Sequence, residues 1–537
     1  MSNRRGFSEL FHYPTAVVGL VIITSLLALA AYTLISIPYD KAISMWRGDE
    51  ATWDNNPKNA GPVWLNYITN QKLPETIVVD TAQCTGKKTR TLMDGLTLVS
   101  ISLPLDYQYD DYPTEMTLFL NSTYETEKPF MAPYWVTPDG RQIELEGRSV
   151  GTEERYYISL DNDLIAKLGG QAPEVGLFST EVLADLSQSA LAPIDDGSGL
   201  LVDTSATDDL ASTDTLLSDT TVDSTTDTST DTTAVDTTAV DTTVDSVASD
   251  VVAADATTDV TAADAPAGTV TQASTGLSAP IKGKYSLNID VFLFDEKADI
   301  DAKLVVYGKV HGLAGTDHRR RDMLVALLWG TPIALAFGLL AALGSTVVTF
   351  IIAAFSVWYG RWVDALIQRI TEVNMILPML PILIMVGTFY SRSIWVMLGM
   401  VVLLGIFGGS IKTFRAMFLQ VKQAPYIEAA KAYGAGNMRI IFRYLIPRMI
   451  PVLIPSFVTL IPSFVFLEAS LAVLGLGDPV LPTWGKLLQD AFSEGAAFKG
   501  YYYWILQPSI LLMLTGLGFS MVGFALDRIY NPRLRGR

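Results

Sequence analysis

The 537-residue sequence has one cysteine, Cys84, and three histidines, His12, His311 and His318. A single thiol cannot build an intramolecular disulfide framework, and so few Cys and His argue against a metalloenzyme. No G-x-x-x-x-G-K-[ST] stretch occurs, so the chain is not expected to hydrolyse ATP itself. No nucleophile–histidine pair or metal cluster has a recognisable spacing, which leaves no candidate catalytic or metal-ligating residue. Charge is sparse as well: 18% of residues are charged against 49% hydrophobic, with a mean hydropathy of +0.30. That is too apolar for an ordinary soluble protein and too charged for a pure membrane bundle. A membrane protein with a large water-exposed part fits both numbers.

Basic residues and Glu are missing altogether from residues 202–268, which hold 15 Asp among Thr, Ser, Val and Ala. The net charge of −18 therefore describes this one segment, since the remainder would sit near −3. Asp231-Thr-Thr-Ala-Val recurs at once as Asp236-Thr-Thr-Ala-Val. Mutually repelling carboxylates without a single aromatic cannot bury enough surface to order the chain, so disorder is expected here.

Long apolar runs are present at both ends. Residues 1–14 are polar and carry Arg4 and Arg5; residues 15–37 are apolar throughout and long enough to cross a bilayer. A cleaved signal peptide is the competing reading of that run, which is longer than a usual signal core. Further apolar runs cover roughly 324–356, 373–390, 394–411, 449–474 and 505–526, which predicts six spans in all. With a cytoplasmic N-terminus, the inner segments hold 15 Lys and Arg, against six on the outer side once Arg319, Arg320 and Arg321 are included. The positive-inside bias thus favours cytoplasmic N- and C-termini.

Residues 38–310 contain nothing that could span a membrane. Alternating runs such as 96–103, 116–120, 285–294 and 302–307 read as strands, and Thr137-Pro-Asp-Gly140 as a turn. The expected architecture is one antiparallel β domain with the acidic tract inserted before its last hairpin.

The chemistry-bearing stretch is 425–447. Pro425 suits the first turn of a short helix and Gly434 its left-handed C-cap; a second short helix is expected from Met438 to Ile446, stopped by Pro447. Glu428-Ala429-Ala430, followed by Gly434, Ile440 and Pro447, resembles the EAA loop of the membrane subunits of bacterial ABC importers. In that family the loop is the coupling helix seated in a cleft of the cytoplasmic ATPase. An ordinary surface helix-turn-helix is the plainer alternative.

Other stretches resemble the C-type permease subunit of the dipeptide/oligopeptide/nickel branch. Gly315-Thr-Asp-His-Arg-Arg-Arg-Asp322 is similar to that family's G-T-D-x-x-G-R-D, with Arg320 in place of the glycine; Asp317 and Asp322 match its carboxylates. Arg369 and Glu372 ahead of Pro378 look like its R-x-x-D…P, with Glu for Asp. The stretches 468–477, Pro482-Thr-Trp-Gly485 and 531–535 also fit. The resemblance covers 312–537 well and 1–66 loosely, so 38–310 reads as an insertion into a permease whose core is 311–537. It implies a type I importer permease fold without a cofactor of its own. It also implies a homologous second permease, two ATP-binding subunits carrying ATP and Mg, an extracytoplasmic solute-binding protein, and a bacterial plasma-membrane location. Nucleic acid is not an expected partner.

Glu468 lies in an otherwise apolar run, where it should face the bundle interior or an aqueous cavity, either lining a pathway or pairing with a polar group. Pro378, Pro381, Pro451, Pro455 and Pro462 fall within spans as hinges or static kinks. A membrane-anchored surface protein whose helical bundle does not transport is the rival reading. The intact coupling stretch speaks against it.

Overall fold

The computed structural model describes residues 13–48, 50–83, 85–93, 96–179, 279–295 and 297–530. The acidic tract at 202–268 lies outside them.

Two bodies share this part of the chain. The first is a sandwich of two antiparallel sheets. Strands β1 (Ile77–Asp80), β4 (Glu115–Thr123), β8 (Glu153–Tyr157) and β10 (Asp299–Tyr307) form one sheet in the order β1-β10-β4-β8. Strands β2 (Lys87–Met93), β3 (Leu96–Tyr107), β5 (Phe130–Val136), β6 (Gln142–Glu144) and β9 (Gly283–Leu293) form the other in the order β2-β3-β9-β5-β6, with β7 (Arg148–Ser149) paired to β5. Alternation sets the faces. Val99, Ile101 and Leu103 of β3 and Leu287, Ile289 and Val291 of β9 meet Leu118 and Leu120 of β4 and Leu304 and Val306 of β10 in one core. The intervening side chains point outward, as the two-residue period of a strand requires.

The four expected strand runs are all strands. The expected last hairpin is not one. β9 pairs with β3 and β5, whereas β10 pairs with β1 and β4, so the chain crosses from one sheet to the other between them. Alternation reveals a buried face but not which neighbour shares the hydrogen bonds. The turn at 137–140 is as expected: Gly140 N–H donates to Thr137 O at 3.0 Å, with Gly140 at φ +85°.

The second body is helical. Helix α1 (Pro14–Ser36) is followed by the short α2 (Tyr39–Arg47); after the sandwich come α3 (Met323–Tyr359), α4 (Arg361–Ile376), α5 (Met379–Phe389), α6 (Ile394–Ile406), α7 (Ser410–Lys422), α8 (Pro425–Ala432), α9 (Asn437–Leu471, with a π turn at Ile441–Leu445), α10 (Trp484–Ser493) and α11 (Tyr502–Tyr530). Among the described residues four helices are long and apolar enough to cross a membrane, or six if each of two bent pairs counts as one span.

Those bent pairs differ from the expected runs. The third span starts at Arg361 rather than 373, and α4 meets α5 at 77°. Pro378 forces the break, because its ring disfavours the helical conformation for Leu377, which is extended at ψ 124°. The fourth span bends by 45° between α6 and α7, across the glycine-rich 405–409. The fifth runs from Asn437 to Leu476, through a π turn at Ile441–Leu445 and a kink at Gly475, which is left-handed at φ +86°. Pro447 therefore does not stop a second short helix. The π turn widens the preceding helix, so the proline ring and its missing N–H are accommodated at the first positions of the next α segment.

Helix α3 joins the two bodies. Its first residue, Met323, hydrogen-bonds Gly315 in the loop leaving β10, and its last turn lies beside α7 and α8. At about 1.5 Å per residue, its 37 residues span roughly 55 Å. The sandwich and the 425–447 stretch thus stand at opposite ends of one helix.

Candidate functional site

Helix α8 begins on Pro425 and ends in a Schellman arrangement: Ala435 N–H donates to Ala430 O at 3.0 Å and Gly434 N–H to Lys431 O at 2.9 Å. Gly434 holds the required left-handed conformation, φ +76°, and a Cβ there would meet nothing within 4 Å. Its freedom is thus needed for the backbone alone. Ile427, Ala430, Ile440 and Ile441 turn inward and bury. Glu428, Ala429, Lys431 and Gly434 remain exposed, together with Tyr426, Tyr433, Met438 and Phe442. One side of the loop is therefore packed against its own bundle, and the other offers a carboxylate, small residues and large apolar groups to the outside.

The loop is braced from below. Lys422 at the end of α7 donates to the carbonyls of Val357 (2.5 Å) and Trp358 (3.1 Å), and Lys431 lies 4.9 Å from the Trp358 ring. Arg415 of α7 grips Asp364 of α4 with both Nε (2.7 Å) and a terminal nitrogen (2.5 Å), and Ser356 of α3 adds a bond to the same carboxylate. This bidentate clamp was not among the residues singled out from the sequence. The signal for it was present: Asp364 and Arg415 flank the third and fourth apolar runs, where an unpaired charge would be costly. Arg369 and Glu372, by contrast, form an exposed pair at 3.2 Å along α4, worth little to stability.

At the other end of α3 every residue of 315–322 except the exposed flank has a defined task. Gly315, at φ +82°, packs so closely that a Cβ would stand 2.5 Å from Ala60 O and 3.0 Å from the Tyr503 ring. Thr316 donates to Pro57 O and accepts from Ala60 N–H. Asp317 is buried and accepts from Arg321 Nε at 2.6 Å; Arg321 reaches on to Asp490 at 2.9 Å and covers the Trp46 ring at 3.8 Å. Asp322 caps α3 by accepting from Leu324 N–H, and burial pushes its carboxyl above the usual carboxylate range. Arg320 keeps the left-handed conformation, φ +63°, that suits a glycine, and sends its side chain into the sandwich.

Glu468 is buried in α9, inside the bundle as a carboxyl in an apolar run should be. Thr483 is its polar neighbour, and one of its oxygens has no hydrogen-bond partner in the protein. The candidate residues thus fall into two groups at the two ends of α3. Glu428, Ala429, Ala430, Gly434, Ile440, Pro447, Arg369 and Glu372 lie towards one end, and Asp317, Asp322 and Glu468 towards the other. They do not converge on one centre.

A bundle of helices long and apolar enough to cross a membrane, with an exposed, braced helix-turn element between two of them, is the architecture of a polytopic membrane protein. Residues 334–536 match the family model described as the binding-protein-dependent transport system inner membrane component. The chain is 30% identical over 228 residues to a dipeptide transport system permease protein of Alkalihalophilus pseudofirmus, a match covering 41% of this chain and 72% of the relative. It is 31% identical over 226 residues to a glutathione transport system permease protein of Pectobacterium atrosepticum, again 41% and 72%. A peptidoglycan transport system permease protein of Agrobacterium fabrum is 30% identical over 221 residues, covering 41% of this chain and 56% of that protein. The chain belongs to the family of inner-membrane components of binding-protein-dependent transport systems. It is a permease subunit of an ABC importer.

Proposed function

We propose that this permease moves peptides or similar small solutes into the cytoplasm as one transmembrane half of an ATP-driven importer. The names of its relatives support the solute class. In this reading a homologous second permease completes the pathway, two cytoplasmic ATP-binding subunits carry ATP and Mg, and an extracytoplasmic solute-binding protein delivers the solute. The chain contributes no cofactor.

The observation that carries the reading is the placement of the exposed 425–447 loop and the β sandwich at opposite ends of α3. A loop that docks on a cytoplasmic ATPase puts the sandwich outside and both termini in the cytoplasm. Glu428, Ala429 and Gly434 then form the contact face, Ala430 and Ile440 anchor it from the buried side, and Pro447 lies within α9 just after the π turn. Closure of the ATPase pair on ATP would push this face, and the Asp364–Arg415 clamp would pass the displacement to α3, α4 and α7 as a unit. The bundle would switch between inward- and outward-facing arrangements by rigid-body motion. In the same reading residues 38–310 are an extracytoplasmic insertion that either docks the binding protein over the entrance or serves as a spacer; intact transport after an in-frame deletion of 40–310 would remove the docking role.

Gentle solubilisation from the native membrane tests the reading. Recovery of a second permease and ATPase subunits with the tagged chain is the expected result. Recovery of the chain alone, across several detergents, would favour a surface protein that does not transport.

A further inference from the structure

Between α3, the α6–α7 bend and α9 lies a cavity of about 170 Å³. Six hydroxyl side chains line it: Ser345, Thr346 and Thr349 from α3, Ser410 and Thr413 from α7, and Ser456 from α9. Among the described residues no charged side chain does. Ser345, Thr346 and Thr349 are buried at its floor, and Ser410 and Thr413 are exposed at its mouth.

Three of these hydroxyls are committed to backbone. Ser345 donates to Ala341 O at 2.7 Å and Ser456 to Val452 O at 3.1 Å, each one turn back in its own helix. Thr349 donates across to Ile406 O at 2.7 Å, the last carbonyl of α6 before the chain breaks. Thr346 differs. It is 3% exposed, and its hydroxyl has no partner in the protein. A buried hydroxyl is normally satisfied, so this one, on a residue that lines the cavity, is left to bond an entering group once its side chain turns toward it.

The bend supplies an independent argument. Irregular backbone at membrane depth is tolerated where it is buried in protein or lines a wet cavity, and the 407–409 break borders this one through Gly405 and Ser410. Exposed hydroxyls on α7 likewise suit an aqueous face better than lipid. Hydroxyls both donate and accept but carry no charge. They match the N–H and C=O of an amide, and offer no counter-charge to an ammonium or a carboxylate.

We propose that this cavity is a contact station for the solute inside the membrane, taking an uncharged amide group of a peptide backbone while the charged termini stay outside it. The inference rests on the peptide reading above. Thr346 makes the solute hydrogen bond, and Thr349 holds the broken helix at the distance the site needs.

Uptake of radiolabelled dialanine by cells carrying the whole transporter tests it. Thr346→Val keeps the shape and removes the hydroxyl; the loss of one net hydrogen bond should raise the KM for dialanine about fivefold. Thr346→Ser should restore the wild-type KM at an unchanged level of assembled complex. A wild-type KM in the Val variant, or failure of the Ser variant to rescue, would overturn the station. If wild-type cells take up no dialanine, the peptide reading fails instead. The hydration of the cavity is then read separately with Thr346→Cys in a Cys84→Ser background and a membrane-impermeant thiol reagent. Modification supports a wet pocket; none, at rest or during ATP turnover, overturns it.

Discussion

Arg320 donates to the carboxylate of Glu115 at 2.7 Å, joining residues 205 positions apart and linking the loop before α3 to strand β4. The same guanidinium donates to Asn56 O at 2.8 Å and lies 4.1 Å from the Tyr307 ring of β10. The Arg320 side chain, carried on a left-handed backbone, is thus one of the ties between the two bodies.

Two replacements separate its roles. Arg320→Ala should destabilise the junction by about 3 kcal/mol, because Glu115 loses its partner while the backbone stays strained. Arg320→Gly should recover roughly 1 kcal/mol of that, since glycine adopts a positive φ freely. Hydrogen exchange at residues 308–322 in the solubilised protein would rank the two. Equal exchange in both variants would argue against strain at this position.

Gly434 is expected to respond to backbone alone. Gly434→Val should cost about 1–2 kcal/mol locally by disfavouring the left-handed C-cap, and should uncouple ATP hydrolysis from uptake with normal membrane levels of the chain. Gly434→Asn should retain most uptake, because Asn tolerates that conformation. Normal transport by the Val variant would remove the coupling role.

Gly330 faces Trp484 so closely that an added Cβ would stand 2.2 Å from the indole. That indole is fully buried and donates to Leu327 O at 2.9 Å. Gly330→Ala should therefore displace α10 and lower stability by about 2–3 kcal/mol, as overpacking does. Trp484→Ala should cost about 3–5 kcal/mol through the cavity it leaves. Thermal unfolding in detergent measures both, and a Gly330→Ala variant as stable as wild type would contradict the packing.

Acidification should loosen the junction. Burial holds the His311 imidazole below its ordinary 6.5, partly offset by Asp322 and Glu75, and burial does the same to His318 beside Asp317, Asp490 and Glu494. The folded state therefore binds fewer protons than the unfolded one just below that value. Stability is present above pH 6.5 and is lost as the pH falls through the lowered values. Asp322 has the opposite sign: its raised carboxyl favours folding at acid pH and weakens it as the pH rises from 3.8 through the shifted value. Unfolding followed from about pH 7.5 to 5 should show the histidine loss, and His311→Gln with His318→Gln should flatten it. A pH-independent wild type would rule it out.

Much of this was legible in the sequence. The apolar runs gave α1 to within one residue and α3 and α11 to within four, because hydropathy largely decides whether a segment can cross a bilayer. Glu428 to Gly434 gave a helix and its cap, because a glycine C-cap is a local rule. What stayed hidden depends on distant partners. The start of the third span at Arg361 is masked by Asp364 and Arg369, polar residues whose tolerance in the bundle depends partly on Arg415, 51 residues away from Asp364. Pro447 reads as a stop, since nothing local announces that a π turn will absorb it. β9 and β10 read as a hairpin, since alternation says nothing about which sheet each strand joins. Thr346 reads as one more residue in an apolar helix until three helices are brought together around it.

Helix α3 can be viewed as a rocker arm. Turned as one piece by about 5° around its middle, a helix of roughly 55 Å carries its two ends some 2–3 Å in opposite directions, less whatever bending Pro332 in its first third takes up. One end is fastened to the sandwich through the 315–322 loop, and the other to α7 through Lys422 and to α8 through Lys431 on the Trp358 ring. A displacement at the 425–447 end and a tilt of the sandwich would then be a single movement, visible from either end.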